Sequence, residues 1–88
     1  MKAFIVATGK DHPGIVAAIT SELARLEVNI LDLSQTLMKQ YFTMIILTEL
    51  PETVSISQLK EVMDTVGQDH GVLIRVQAED TFDAMHSI

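Results

Sequence analysis

A strand, a glycine-containing turn, a helix and the start of a second strand fill the first thirty residues of this chain, and that compression decides most of its architecture. Ala3-Phe4-Ile5-Val6-Ala7 is a short continuous apolar run bounded by glycine, the pattern of a buried strand. The turn Gly9-Lys10-Asp11-His12-Pro13-Gly14 follows it. Asp11 or His12 is placed to cap the next helix, and Pro13 suits its first turn, where an N–H lacks an intrahelical acceptor anyway. Ile15, Ile19, Leu23 and Leu26 recur at helical spacing as one apolar stripe, while Thr20, Ser21, Glu22 and Arg25 face water. Asn29 breaks the helical pattern after Glu27-Val28, and a second strand begins at Ile30. Such a crossover is expected to bring free backbone N–H groups, the Asp11 carboxylate and the Asn29 carboxamide to one end of a sheet.

From Ile30 to Met38 the chain alternates. Leu31, Leu33, Gln35 and Leu37 fall on one side, and Asp32, Ser34, Thr36 and Met38 on the other, as in a half-exposed edge strand. Lys39-Gln40 makes a tight hairpin turn, although neither residue favours positive φ. Tyr41 to Glu49 is the most apolar segment and reads as a central strand covered on both faces, ended by Pro51. Ser55 and Gln58 have capping-box spacing, and Val54 and Leu59 are placed for a hydrophobic staple. The helix they open carries Ile56, Leu59, Met63 and Val66 inward, weakens at Gly67 and stops at Gly71. Val72, Ile74, Val76 and Ala78 alternate with Leu73, Arg75 and Gln77 in a last strand, and Asp80 is placed to cap a short C-terminal helix that docks Phe82 and Met85. The order is βαββαβ. Two right-handed crossovers around a hairpin give an α+β, ferredoxin-like sandwich: a four-stranded antiparallel sheet ordered 2-3-1-4 with both helices on one face. The other face is left for the tail or a partner.

Charge and residue usage remove several function classes. Eighty-eight residues make one domain, and 48% apolar content exceeds what one thin core hides, which favours self-association. Twelve acidic residues outnumber six scattered basic ones, so the net charge of −6 lacks the positive field that a phosphate backbone requires. With no cysteine there is no disulfide, thiolate metal site or cysteine nucleophile. No secretory segment is evident, and every apolar run, Met44 to Leu47 included, falls far short of a membrane span, so a cytoplasmic protein without a membrane partner is expected. His12, His70 and His86 lack the close pairing of metal ligands and read as surface or capping residues. No serine pairs with a histidine and an aspartate, and no glycine-rich phosphate loop occurs. Neither catalysis nor a cofactor is expected.

Together, the βαββαβ order, the turn Lys10-Asp11-His12-Pro13-Gly14-Ile15-Val16 and Val28-Asn29-Ile30 resemble an ACT domain over residues 1 to about 79. Ile30-Leu31-Asp32-Leu33-Ser34-Gln35-Thr36, Tyr41-Phe42-Thr43-Met44, Arg75-Val76-Gln77 and Phe82-Asp83-Ala84-Met85 are similar to small bacterial and archaeal proteins made of one free-standing ACT domain. More distantly they are similar to the ACT halves of the glycine cleavage repressor. The resemblance implies one domain over residues 1–88, with a core to 79 and a tail from 80. It also implies a regulatory or sensory module that binds an amino acid or related metabolite between two subunits. In the ACT domain of phosphoglycerate dehydrogenase, the turn before the first helix and an asparagine after it hold the ligand. Carried onto this chain, the turn asparagine falls on Asp11, a turn histidine on Gly9 and the later asparagine on Asn29.

The ligand-binding set implied by that resemblance is Asp11, His12, Pro13, Gly14, Asn29 and Ile30. It suits a zwitterion: N–H groups at a helix start receive a carboxylate, Asp11 pairs with an ammonium, and Asn29 offers a donor and an acceptor. Without a ligand, Asp11 is a helix cap and Asn29 a turn residue tolerant of positive φ, while Gly14 permits close backbone approach in either case. Acylphosphatase shares the topology, but its phosphate-binding turn uses an arginine that residues 9 to 14 lack. A homodimer is expected, because the strand from Ile30 to Met38 carries no proline or lysine to blunt its edge. The pair forms either through that edge, as one eight-stranded sheet, or by packing open sheet faces around Phe4, Tyr41 or Met44. A ligand-free interaction module that docks through its open sheet face is the alternative function.

Overall fold

The computed structural model describes residues 1–11 and 13–80. Its elements run β1 (Lys2–Lys10), α1 (Ile15–Arg25), β2 (Asn29–Met38), β3 (Tyr41–Glu49), α2 (Ile56–His70) and β4 (Leu73–Ala78). His12 and the expected C-terminal helix with Phe82 and Met85 lie outside the described residues. The sheet order is β2-β3-β1-β4 with every adjacent pair antiparallel, the topology that two crossovers around a hairpin dictate.

One face of the sheet carries the core. Ala3, Ile5 and Ala7 of β1 and Phe42, Met44, Ile46 and Thr48 of β3 are buried with Ile15, Ile19 and Leu23 of α1 and Leu59, Met63 and Val66 of α2. Thr48, the buried polar residue of this face, donates its hydroxyl to the Ala3 carbonyl at 2.8 Å, so the hydroxyl is not left unpaired. On the opposite face Phe4, Val6, Ile45 and Leu47 are half-buried, and Tyr41 and Leu73 are exposed. Among the described residues both helices pack on one side of β3, and no described element covers its other face. Met44 lies under those helices, fully buried, and is not on the open face.

The helix ends differ from their sequence signals. Gly14, with φ 90°, is the N-cap of α1, and the first helical bond runs from the Ala18 N–H to the Gly14 carbonyl at 2.8 Å. Asp11 is not the cap: its N–H donates to the Gln40 carbonyl at 2.7 Å and ties the end of β1 to the β2–β3 hairpin. Pro13 accordingly precedes the helix. At the other end the Val28 N–H reaches the Leu23 carbonyl (2.9 Å) and the Glu27 N–H reaches Ala24 (3.0 Å), a Schellman closure with Glu27 left-handed at φ 60°. Glu27, not Asn29, is thus the helix breaker, and Asn29 is the first residue of β2. In α2 the Ser55–Gln58 capping box forms, with bonds of 2.9 and 3.1 Å. The helix continues through Gly67 to His70 and ends on Gly71 at φ 67°. Ile56 is only half-buried.

In β2 an irregularity between Ile30 and Asp32 shifts the register, so Ile30 lies opposite Thr48 on the helix side and does not share a face with Asp32. All ten of its residues are exposed, more than half-burial would allow. Lys39 adopts φ 58° in the hairpin turn despite its side chain.

Two substitutions test the closures. Glu27→Gly removes a left-handed side chain that costs roughly 1–2 kcal/mol, partly offset by a freer unfolded chain. A rise in melting temperature of about 3–6 °C is expected. Gly67→Ala should lower it, although alanine has the higher helix propensity by about 0.8–1 kcal/mol. The added Cβ would lie 2.7 Å from the Val72 carbonyl oxygen, a backbone atom that cannot swing away.

Candidate functional site

The strand register sets where each candidate side chain stands. Lys2 and Asn29 both lie opposite Glu49, whereas Lys10 and Met38 both lie opposite Tyr41. β1 and β2 therefore run parallel, and α1 carries the chain back along their length. The turn from Asp11 to Gly14 sits at one end of the sheet and Asn29-Ile30 at the other, roughly 26 Å away over eight strand steps. This corrects the expectation of one shared end. A parallel crossover begins beyond the C-terminal end of one strand and finishes before the N-terminal end of the next.

At the first end Asp11 is exposed beside the start of α1, where the N-cap Gly14 supplies no side-chain cap. Its N–H groups and the positive end of the helix dipole face outward there. A Cβ built on Gly14 meets nothing within 4 Å, so this glycine serves its positive φ and not a close approach. Close approach belongs to Gly9 and Gly67, whose added Cβ atoms would meet Val72 at 2.8 and 2.7 Å. Gln40 is a member of this end that no sequence motif marks; only the register shows its carbonyl holding Asp11.

At the second end Asn29 and Ile30 are exposed next to the irregularity in β2, where the Leu33 N–H donates to the Asp32 carboxylate at 2.9 Å. Between the two ends runs the free edge of β2. Leu33 and Leu37 point to the helix side, opposite Ile46 and Phe42, yet are 40% and 59% exposed because no described element covers them. Among the described residues, larger grooves lie elsewhere, along β4. Among the described residues no three histidine or acidic side chains gather as a metal set. No described helix is long and apolar enough to cross a membrane.

Comparison with known proteins agrees with this geometry. A family model described as ACT domain matches residues 3–77. A UPF0237 protein of Clostridium acetobutylicum is 46% identical over 89 residues, covering 100% of both chains. The ACT domain protein from Streptococcus pneumoniae superposes with a TM-score of 0.83 at 38% identity, covering 98% of each chain. A putative glycine cleavage system transcriptional repressor shares the fold at a TM-score of 0.78 and 22% identity, over 86% of this chain and 44% of that one.

The role of Gly14 is testable by chirality. Gly14→Ala should cost about 1–2 kcal/mol through its φ of 90°, and a D-alanine installed there by chemical synthesis should restore stability. Equal losses with both enantiomers would indicate a steric role instead. Asp11→Ala and Asn29→Ala, at exposed positions, should each stay within about 0.5 kcal/mol of the parent in chemical denaturation.

Proposed function

The chain belongs to the ACT domain family, whose members are in general regulatory ligand-binding domains, and from that premise we propose that it binds an amino acid or closely related metabolite at sites shared by two copies. The supporting observation is the register itself: Asp11 to Gly14 and Asn29-Ile30 stand at opposite ends of a sheet whose β2 edge is exposed between them. Antiparallel pairing of two β2 strands about a two-fold axis near Ser34 sets Asn29 and Ile30 of one copy beside the turn of the other, twice over.

In that site the N-terminus of α1, which Gly14 leaves without a side-chain cap, receives the ligand carboxylate, and Asp11 pairs with its ammonium. Asn29 of the second copy supplies a donor and an acceptor, and Ile30 an apolar wall. Pro13 and Gly14 shape the turn, and His12 completes the set. The pairing also covers Leu33, Leu37 and Met38, which are 40%, 59% and 72% exposed in one chain. This reading assigns no catalytic step, cofactor, nucleic acid or membrane, and places the homodimer in the cytoplasm. A second reading, a ligand-free module docking through the open sheet face, is favoured by the apolar row of Phe4, Val6, Ile45, Leu47 and Leu73 there.

A thermal-shift screen against amino acids should find a stabilising ligand, with a gain of about 2.7 kcal/mol at a hundredfold excess over Kd. Asp11→Ala and Asn29→Ala should each abolish the shift. Mixed and re-equilibrated, the two variants should recover about a quarter of the original binding stoichiometry, because half of the dimers then carry one site with both residues intact. Two residues acting within one chain would give no recovery. Because the chain has no cysteine, Ser34→Cys offers an independent check: oxidation should join two copies across the axis. A sedimentation mass near 9.7 kDa at tens of micromolar would remove the shared site altogether.

A further inference from the structure

Two charged residues of opposite sign flank β2, and each stands where its residue type is disfavoured. Glu27, two residues before the strand, has φ 60°, and Lys39, the residue after it, has φ 58°. Among the described residues they are the two non-glycine positions with positive φ. Glycine or asparagine would suit either backbone better, so local conformation does not account for the charges. Both side chains are exposed, and neither is in an ion pair among the described residues. Arg25, the cation nearest Glu27 along the chain, is already held by Glu22 at 2.7 Å.

The register brings the two charges to one level on opposite copies. Counted along β3, Asn29 lies opposite Glu49 and Met38 opposite Tyr41, each four residues from Ile45, which faces Ser34. The irregularity between Ile30 and Asp32 takes up the extra residue, so β2 is symmetrical about Ser34 in ladder steps. Under a two-fold axis there, Asn29 meets Met38 of the second copy. Glu27 and Lys39 then fall within one strand step of each other along the edge, roughly 3.3 Å. Within one chain they stand at opposite ends of β2 and do not meet. We propose that Glu27 of each copy pairs with Lys39 of the other. The two ion pairs close both ends of the β2 edge, select a second copy of this chain as its occupant and fix the register in which they join. A register slipped by two residues would carry each ammonium about 6–7 Å along from its carboxylate. This inference rests on the homodimer proposed above and adds the residues that choose its partner.

Charge exchange in the full chain tests the pair, with dimerisation followed by sedimentation velocity in about 50 mM salt, where screening is weak. Glu27→Lys and Lys39→Glu should each raise the dimer dissociation constant at least about tenfold, because like charges then face each other twice. An equimolar mixture of the two variants, one labelled with a heavy nitrogen isotope, should form mixed dimers of parent affinity by native mass spectrometry. The Glu27→Lys, Lys39→Glu double variant should dimerise like the parent. Lys60→Glu, exposed on α2, changes the net charge as Lys39→Glu does and should leave association unchanged. A Ser34→Cys cross-link that persists while neither reversal weakens the dimer would overturn the ion pair and spare the shared site. Weakening without recovery in the mixture, or equal weakening by Lys60→Glu, would overturn it as well. Loss of the parent circular dichroism spectrum in a single reversal would assign that residue to the fold of one chain and against the pair. A mass near 9.7 kDa at every concentration, the parent included, would remove both the pair and the homodimer.

Discussion

Val72 sits between two glycines, and the arrangement of both layers depends on that seat. A methyl group on Gly9 would stand 2.8 Å from its Cγ1, and one on Gly67 would stand 2.7 Å from its carbonyl oxygen. Its N–H meanwhile donates to the Gly67 carbonyl at 3.0 Å. β1, α2 and the entry to β4 are therefore held together at one point by the absence of two side chains. Close packing there lets α2 lie flat on the sheet through its Leu59, Met63 and Val66 while β4 turns back along β1 from Leu73, opposite Thr8. A groove between α2 and β4 follows, lined by Ile56, Lys60 and Asp64 of the helix and by the strand.

A second constraint is the parallel relation of β1 and β2. Because both pair antiparallel with β3, α1 must span the sheet, and its two ends deliver their loops to opposite rims. In the proposed reading, one chain then carries two half-sites and no whole one. Two-fold symmetry is the simplest operation that joins them, and β2 is the element whose exposed edge permits it. A regulatory domain gains from such a division. When ligand contacts come from both copies, occupancy and association stabilise each other by linkage.

Much of the fold was legible in the chain because local rules were decisive. The 3.6-residue spacing of Ile15, Ile19 and Leu23 placed α1, the Ser55–Gln58 pair placed the start of α2, and Gly71 placed its end. Element order then left few topologies. Other local signals pointed the wrong way. Asp11 looked like a cap, but strand pairing claims its N–H, and Gly14 turns the chain instead. Glu27 and Lys39 take left-handed conformations that their types disfavour, because the helix end and the two-residue hairpin demand them. The apolar run of β3 implied two covered faces, whereas among the described residues both helices lie on one face and Ile45 and Leu47 on the other are half-buried.

The sequence alone determined the elements, their order, the helix-facing core and, through Pro13-Gly14 and Asn29, membership of a family. These depend on neighbours within a few residues, where periodicity and capping chemistry suffice. Tertiary structure decided which rim each loop occupies, which glycines are crowded, and which residues of α2 and β4 line one groove. Such facts rest on register between strands as distant as Lys2 and Glu49, and a one-residue slip would reverse every face. No local pattern records that register; only the packed sheet does.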